Sequence, residues 1–264
     1  MRDFVLKMIV LMCVGAGVGC ATTKQHPAQI TVMSYNIHHA EGTDGKLNLE
    51  RIAKIVQAQN PDLVALQEVD DRADRSGRVD QAAELGRLTG MHHVFGKAMD
   101  FQGGGYGQAI LSRWPIKAQQ VHQLPQRVGR EPRILLRTTI ASSSFGKMVF
   151  GTTHLDHQIE EIRVEQVNEI NRLLSPTTSS VPLILAGDFN AVPESAPMQV
   201  MASQWLDAAH GTAAPTIPAT NPRRRIDYIF CAPSEKWTTT QSTVLEEPIA
   251  SDHRPVVTTL QLAR

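Results

Sequence analysis

The sequence has few cysteines and no excess of charge of either sign, and the shortage of cysteine excludes one class of protein. It contains three cysteines in 264 residues, Cys13, Cys20 and Cys231, which is too few for a disulfide-rich scaffold. Lysine plus arginine and aspartate plus glutamate number 26 each, so the formal net charge is zero. That balance gives no indication of a polyanionic partner.

Motifs that identify several enzyme classes are also missing from the sequence. There is no Gly-x-Ser-x-Gly element, which disfavours a serine hydrolase. The Gly-Asp-x-His motifs that supply histidine ligands in calcineurin-like metallophosphatases are absent as well. The glycine-rich run FQGGGYGQ lacks the spacing of a dinucleotide fingerprint or a P-loop. No internal repeat and no linker divides the chain, so we expect one domain over residues 29–264.

The N-terminus carries an apolar run, Met8 to Gly19, that is too short to span a bilayer comfortably. A short basic start precedes it, which is typical of a secretory signal. The run ends in Gly17-Val18-Gly19-Cys20, which resembles the bacterial lipobox, although Gly17 stands where that motif usually has leucine. We therefore expect residues 1–20 to be a lipoprotein signal peptide and residues 21–28 a polar tether. Plain cleavage and an uncleaved anchor are the alternatives.

Removal of Cys13 and lipidation of Cys20 would leave Cys231 as the remaining cysteine. It follows the apolar pair Ile229-Phe230, so we predict a buried, inert thiol and not a nucleophile.

The stretch VPLILAGDFNAVP, from Val181 to Pro193, combines a strand pattern with two polar side chains. Residues 182–186 are largely apolar and predict a buried strand. Asp188 and Asn190 follow it directly, at the carboxyl edge where an open α/β sheet holds its ligands. An Asx-rich turn that only caps the next segment is the alternative.

Other predicted strands place polar residues in the same way. The strands are predicted at 29–37, 62–68, 92–95, 108–112, 134–140, 147–153, 182–186, 225–230 and 255–262, and helices after Asn48, after Asp80 and over Ile159–Leu174. A short helical region is predicted within 192–209, and FQGGGYGQ is predicted to be a mobile loop close to the site. Six polar positions lie at the end or edge of a predicted strand: Asn36, Glu68, His154, Asp188 with Asn190, Asp227, and Asp252 with His253.

These six positions indicate the chemistry of the site if they converge. Carboxylates and amides without cysteine suit a hard cation such as Mg²⁺. Histidines and acids around such a cation suit transfer of a phosphoryl group to water.

The motifs SYNIHH, LQEV, GQAILSRWPI, THLDH, GDFN, RIDYIF and SDHRPV, in this order, resemble the endonuclease/exonuclease/phosphatase superfamily, which includes deoxyribonuclease I. The resemblance covers Ile30 to Leu262. It implies an α/β fold, a four-layer α/β/β/α sandwich with two mixed β-sheets packed face to face. It also implies cleavage of a phosphoester that depends on Mg²⁺ or Mn²⁺.

The resemblance also assigns a role to each position. Glu68 should be the main metal carboxylate, with Asn36 and Asp252 assisting. Asp188 should orient or deprotonate the attacking water, with Asn190 beside it. His253 should hydrogen-bond the phosphate while Asp227 fixes its tautomer, as carboxylates do for working histidines. His154 should contact the phosphate or assist the leaving group.

Several residues keep a structural alternative. Asp227 could instead pair with one of the arginines at 223–225, and His154 could be an ordinary histidine at a strand end. Arg130 and Arg133 lie near the predicted rim, and solvated charge is the favoured reading over phosphate contact. We assign no function to His38, His39, His92, His93 and His157, and the spacing of His154 and His157 is not a convincing zinc site without further ligands.

The sequence does not specify the substrate, because the loops around a shared centre set specificity. We expect hydrolysis of a phosphodiester or a phosphomonoester by in-line attack of water, and within that range a phosphodiesterase or nuclease-like enzyme. A sphingomyelinase- or inositol-phosphatase-like hydrolase of lipid head groups is an alternative, and an inactive binding protein on the same fold is another. An exported, membrane-tethered enzyme would meet nucleic acid, phospholipid head groups or small phosphodiesters outside the cytoplasm.

We predict lipid attachment at Cys20, because the apolar run ends in a small residue before this cysteine. Mass spectrometry of the mature N-terminus should find a lipidated cysteine, and Cys20→Ala should abolish the modification. A mature chain that begins with free Ala21, or beyond it, would contradict lipidation while leaving export intact.

Overall fold

Two six-stranded β-sheets face each other in the computed structural model, which describes residues 28–209 and 214–263. The strands in chain order are β1 (Ala28–Asn36), β2 (Leu63–Asp71), β3 (His92–Phe101), β4 (Gly104–Ser112), β5 (Ile116–Gln123), β6 (Ile134–Ser142), β7 (Gly146–His154), β8 (Leu183–Asp188), β9 (Leu206–Asp207), β10 (Asp227–Ala232), β11 (Trp237–Val244) and β12 (Val256–Leu262). The first sheet has the order β11-β12-β1-β2-β4-β3, and the second β5-β6-β7-β8-β10-β9. Each sheet is mixed, because β1 runs parallel to β2 and β7 runs parallel to β8 among antiparallel neighbours.

Helices cover the outer face of each sheet. They are α1 (Leu49–Gln59), α2 (Gln81–Thr89), α3 (Glu160–Leu174) and α4 (Ala196–Ala202). Apolar side chains of α1 and α2 pack on the first sheet, and those of α3 and α4 pack on the second. The four-layer α/β/β/α sandwich implied by the sequence is therefore confirmed.

Side chains of the central strands point alternately to the two faces of each sheet, and both faces are buried. In β1, Ile30 and Val32 enter the core between the sheets, whereas Met33 and Tyr35 face the helices. Successive side chains of a strand point to opposite faces, so a strand buried on both faces needs a nearly continuous apolar run. Burial of each such side chain stabilises the fold by about 1.5–3 kcal/mol. Cys231 lies in the same inter-sheet core, buried as predicted.

The predicted helix boundaries at Asn48 and Asp80 are confirmed. The side chain of Asn48 accepts a hydrogen bond from the backbone N–H of Arg51, and Asp80 accepts one from Ala83. Each cap is worth about 1 kcal/mol, because it satisfies a backbone donor at the first turn.

The glycine-rich run was wrongly predicted to be a mobile loop. It forms a β-hairpin, in which β3 extends to Phe101 and β4 begins at Gly104. A Cβ on Gly107 would lie 2.0 Å from the carbonyl oxygen of Gly96, and one on Gly104 would lie 2.3 Å from that of Asp71. These glycines allow close approach of backbones within the sheet, and a composition argument misread that role as irregularity.

Several strand ends also differ from prediction. β2 continues to Asp71, so Glu68 lies within the strand, at a break in its register with β4. Asp227 begins β10 and does not lie inside it. The edge strands β5 and β11 were missed, because both are polar and largely exposed. Ala28, assigned to the tether, is the first residue of β1.

The predicted signal peptide and the tether up to residue 27 lie outside the described residues. Within the part of the chain that is described, no helix has both the length and the apolar character needed to cross a membrane.

Because the backbone of β3 lies so close to Gly107, we expect any side chain at this position to clash with it. Gly107→Ala should lower stability by about 1–3 kcal/mol, because the new methyl group would overlap the backbone of β3. Gly151→Ala is the matched control, since its added carbon would meet its nearest atoms at 3.4 Å. Urea denaturation of both variants measures the difference, and equal stabilities would contradict the close-approach role.

Candidate active site

Polar strand ends of both sheets meet at a pocket of about 440 Å³. Six of the predicted site residues line it: Glu68, His154, Asp188, Asn190, Asp252 and His253. The other two, Asn36 and Asp227, are buried and hydrogen-bond to residues of that lining. The structure thus brings all eight predicted residues together.

Strand pairing explains the convergence in the second sheet. His154 ends β7 beside Asp188, which ends the parallel strand β8. Asp227 begins the antiparallel strand β10 directly opposite Asp188. The register of three neighbouring strands therefore fixes three site residues in a row.

Glu68 and Asn190 both have left-handed backbone conformations, with φ of 56° and 49°. Glu68 occupies the register break in β2, where a bulge redirects a side chain that regular pleating would point elsewhere. Non-glycine residues in this region cost about 1–3 kcal/mol each and cluster at functional sites.

Asp188 is the most enclosed carboxylate of the pocket, with 1% of its surface exposed. It accepts hydrogen bonds from the Asn36 amide at 3.1 Å and from the Asn190 backbone N–H at 2.8 Å. The Nε2 atoms of His154 and His253 lie 3.5 and 3.6 Å from its Oδ2 atom. Burial raises the pKa of Asp188, although the charge of His253 opposes that effect. A carboxylate with a raised pKa can accept a proton from water near neutral pH.

His253 donates from Nδ1 to Asp227 Oδ2 at 2.9 Å. Burial alone would lower the pKa of His253, but the carboxylates of Asp227 and Asp188 raise it to about 10. The imidazole is therefore cationic at neutral pH and can bind an anion. The alternative, a salt bridge from Asp227 to one of the arginines at 223–225, is wrong, because the Asp227 carboxylate pairs with His253 and Arg225 pairs with Asp207 at 2.6 Å.

Asn36 links two site carboxylates through its amide group. Its Nδ2 atom donates to Glu68 at 3.0 Å and to Asp188 at 3.1 Å, while its Oδ1 atom accepts from the backbone N–H of His38 at 3.1 Å. Asn36 therefore holds the predicted metal carboxylate and the predicted base in fixed relation.

His154 is held by Arg133, whose Nη1 atom lies 3.0 Å from its Nδ1 atom. An arginine can only donate, so Nδ1 carries the lone pair and the proton sits on Nε2, on the side of Asp188. Burial, followed by the charge of Arg133, lowers the pKa of His154 well below its usual value. The neutral ring is thus a hydrogen-bond donor towards the pocket.

The expectation of solvated charge is wrong for Arg133. It is 3% exposed, pairs with Glu131 at 2.7 Å, and donates to Nδ1 of His157 at 3.2 Å. Arg130 lies outside the pocket lining and pairs with Asp156. In the sequence Arg133 directly precedes the apolar start of β6, and nothing in that pattern indicates that its side chain is buried.

The predicted proximity of FQGGGYGQ to the site is confirmed, since Phe101 and Tyr106 line the pocket, whereas Arg75, Met99 and Ile217 on the same side were not predicted. Arg75 donates twice to the buried Asp70 at 2.8 Å, and its guanidinium lies 4.6 Å from the ring centre of Phe101. Nothing local distinguishes Arg75 from the arginines at 72 and 78 in the same loop.

Two groups of side chains among the described residues have donor atoms spaced for one metal ion, within 4.8 Å of one another: His38, His39 and Glu68; and Asp188, Asp227 and His253. The second group is already engaged in its own charge pairing. Glu68 and Asp252 add carboxylate oxygens to the pocket. This donor chemistry fits a divalent cation.

The pairing of His253 predicts a pH dependence of stability. The pKa of His253 rises from its ordinary 6.5 to about 10 on folding, so its stabilising contribution is full below pH 6.5 and is lost as the pH rises towards 10. Asp227→Asn removes the strongest anionic partner. In chelator, the difference in melting temperature from the wild type should be largest below pH 6.5 and should shrink as the pH rises.

Asp207→Asn is the control, because it breaks a pair with Arg225, whose charge does not change in this range. Its effect should be constant across the window. A constant effect of Asp227→Asn as well would show that His253 is not held as a cation.

Known proteins resemble this chain in sequence and in fold. A sequence profile of the endonuclease/exonuclease/phosphatase family matches residues 33–253. The uncharacterised protein YbhP of Escherichia coli K12 is 27% identical over 174 residues, which cover 64% of this chain and 68% of YbhP.

Solved structures share the fold. A protein of this family from Beutenbergia cavernae is 30% identical, with a TM-score of 0.74 over 89% of this chain and 72% of that chain. The mannosyl-6-phosphatase Bt3783 of Bacteroides thetaiotaomicron is 22% identical, with a TM-score of 0.72 over 88% of this chain and 99% of that chain. The profile match spans every predicted site residue, and the chain therefore belongs to the endonuclease/exonuclease/phosphatase family, whose members are hydrolases acting on phosphoesters.

Proposed function

We propose that this protein is a divalent-metal-dependent phosphodiesterase that hydrolyses its substrate by in-line attack of water. The observation that carries the proposal is the environment of Asp188. A buried carboxylate with a raised pKa lies between a cationic His253 and a neutral His154, and Asn36 links it to Glu68.

Glu68 and Asp252 would hold Mg²⁺ or Mn²⁺, and Asn36 would assist as the bridge between Glu68 and Asp188. The bound cation would offset phosphate charge and polarise the scissile phosphoester.

The protein's own side chains then divide the remaining work. Asp188 orients the attacking water and accepts its proton, and Asn190 fixes the orientation of Asp188 through its backbone N–H. His253 donates a charged hydrogen bond to a phosphoryl oxygen, held in place by Asp227. His154 donates from Nε2 to the phosphate or to the oxygen of the leaving group. Fixed donors around developing charge need no rearrangement during the reaction.

The balance of charge at the pocket favours a diester over a monoester. Arg75 and Arg133 both line it, but each is paired with a carboxylate. His253 and the metal are thus left to meet the phosphate, which suits the single charge of a diester. The half-buried Met99, Phe101 and Ile217 would accommodate an organic group on one side of that phosphate.

Hydrolysis of lipid head groups is the second candidate. It is favoured by the predicted lipid anchor at Cys20, which would hold an exported enzyme at a membrane surface. An inactive binding protein on this fold is disfavoured, because all eight predicted polar positions carry suitable residues. A panel of plasmid DNA, sphingomyelin, phosphatidylinositol phosphates and bis-p-nitrophenyl phosphate, with Mg²⁺ and with chelator, separates these candidates.

Asp188→Asn tests the central assignment. Asparagine fits the same turn, so the melting temperature should change little while kcat falls about 10²–10⁴-fold. KM should barely move, because the lost interaction is made chiefly in the transition state. His253→Ala should instead impair both parameters, since it removes a phosphate contact present before and during reaction. If a folded Asp188→Asn protein retains more than about a tenth of kcat, Asp188 is not the base.

A further inference from the structure

The tandem histidines His38 and His39, just after β1, lie beside Glu68, although no sequence pattern assigned them a function. One donor atom from each of His38, His39 and Glu68 lies within 4.8 Å of the other two, which is close enough for a single ion. His39 is 5% exposed, and its Nδ1 atom is buried without a hydrogen-bond partner. Buried polar atoms in proteins are normally paired, so an unpaired ring nitrogen indicates a missing ligand.

Hydrogen bonds to a single residue, Glu41, fix which nitrogen of each ring is free. The carbonyl oxygen of Glu41 can only accept, so His38 Nδ1, at 3.1 Å, carries a proton and Nε2 keeps the lone pair. The carboxylate of Glu41 lies 3.3 Å from His39 Nε2, so that atom is the donor and Nδ1 keeps the lone pair. Metal-binding histidines are oriented in this way, with the second ring nitrogen donating to a carbonyl or a carboxylate.

The backbone holds the two rings together. His38, His39 and Ala40 are consecutive left-handed residues, with φ of 44°, 43° and 65°. The ring centres are 4.5 Å apart, and the Gln81 amide holds the carbonyl oxygen of His39 at 2.7 Å. The histidines are therefore presented by a fixed turn.

The surrounding charges also permit a cation. The positive group near His39 is Arg75, whose guanidinium is bound twice by the fully buried carboxylate of Asp70. The carboxylates of Glu68 and Glu41 lie next to the histidines and supply negative charge there. An ion at this position would thus meet an excess of anionic groups.

We propose that His38 Nε2, His39 Nδ1 and the Glu68 carboxylate bind a divalent transition-metal ion, with Glu41 as the residue that positions both rings. Two imidazoles and one carboxylate suit Mn²⁺, Co²⁺ or Zn²⁺, whereas Mg²⁺ prefers an all-oxygen set. The inference rests on the proposed function only in sharing Glu68, and binding at this site can be measured without turnover.

Calorimetry on the untagged, chelator-treated full chain tests the site, with Mn²⁺ and Mg²⁺ as separate probes. We expect Mn²⁺ to bind more tightly than Mg²⁺, and His38→Gln and His39→Gln each to weaken Mn²⁺ more than Mg²⁺. Glu41→Gln should weaken Mn²⁺ about 10–100-fold, the usual effect of losing a residue that orients a metal ligand. His92→Gln, an exposed histidine at the start of β3, is the control and should bind as the wild type does.

A second readout identifies the ligands directly. Proton NMR of the Co²⁺-loaded chain should show two strongly shifted, exchangeable imidazole N–H signals, one lost in each histidine variant. Glu41→Gln keeps the test available if a histidine variant fails to fold, because Glu41 is partly exposed and outside the ligand set.

Wild-type Mn²⁺ affinity in a folded His38→Gln/His39→Gln double variant would overturn the proposal. So would a Co²⁺ spectrum without shifted imidazole signals. Neither result would affect the proposed function, which depends on the loss of kcat in Asp188→Asn. Conversely, an active Asp188→Asn enzyme would leave these binding results intact.

Discussion

The apolar layer between the two sheets fixes where the polar ends of their central strands meet. Val32 and Ala65 of the first sheet and Phe150 and Ile184 of the second belong to one continuous buried cluster. Because close-packed interiors resist sliding, this layer sets the position of β1 and β2 against β7 and β8. The strand ends of both sheets then face one pocket, and each site residue inherits its place from that packing.

Convergence of this kind buries charge, which is costly unless it is compensated. Asp188, Asp227 and His253 are each less than 5% exposed. An isolated buried charge is strongly destabilising, and the pair Asp227–His253 reduces that cost by charge and hydrogen bonding together. Burial raises the pKa of Asp188, and its neutral donors and more distant cation offset that effect only in part. The site thus holds one carboxylate ready for proton transfer and another committed to orientation.

Strained backbone also occurs at and beside this pocket. Glu68 and Asn190 are left-handed, and so is the turn over residues 38–40. These conformations aim polar groups that regular strands would point away, and the packed sheets maintain them. The inferred transition-metal site and the proposed catalytic site therefore both depend on left-handed backbone conformations, and they share the carboxylate of Glu68.

Much of the fold was predictable from the sequence, because burial and capping leave local patterns. Strands such as Leu183–Asp188 are apolar runs because both faces are covered, and Asn48 and Asp80 mark the helix starts. Residue composition led to wrong predictions where the role of a residue depends on a neighbouring strand. The glycines at 104 and 107 allow strands to approach closely, and the polar edge strand β5 is held by its pairing with β6.

The residues chemically suited to the site could be found without the structure, since carboxylates, amides and histidines recur at predicted strand ends. How these residues pair depends on the packing of the two sheets. Asp227 meets His253 and not an arginine, because strand register places it opposite Asp188. Arg133 is buried against His154, and Arg75 reaches the pocket through Asp70. Protonation sites, tautomers and unpaired lone pairs depend on contacts between residues distant in the chain, and no local pattern in the sequence encodes those contacts.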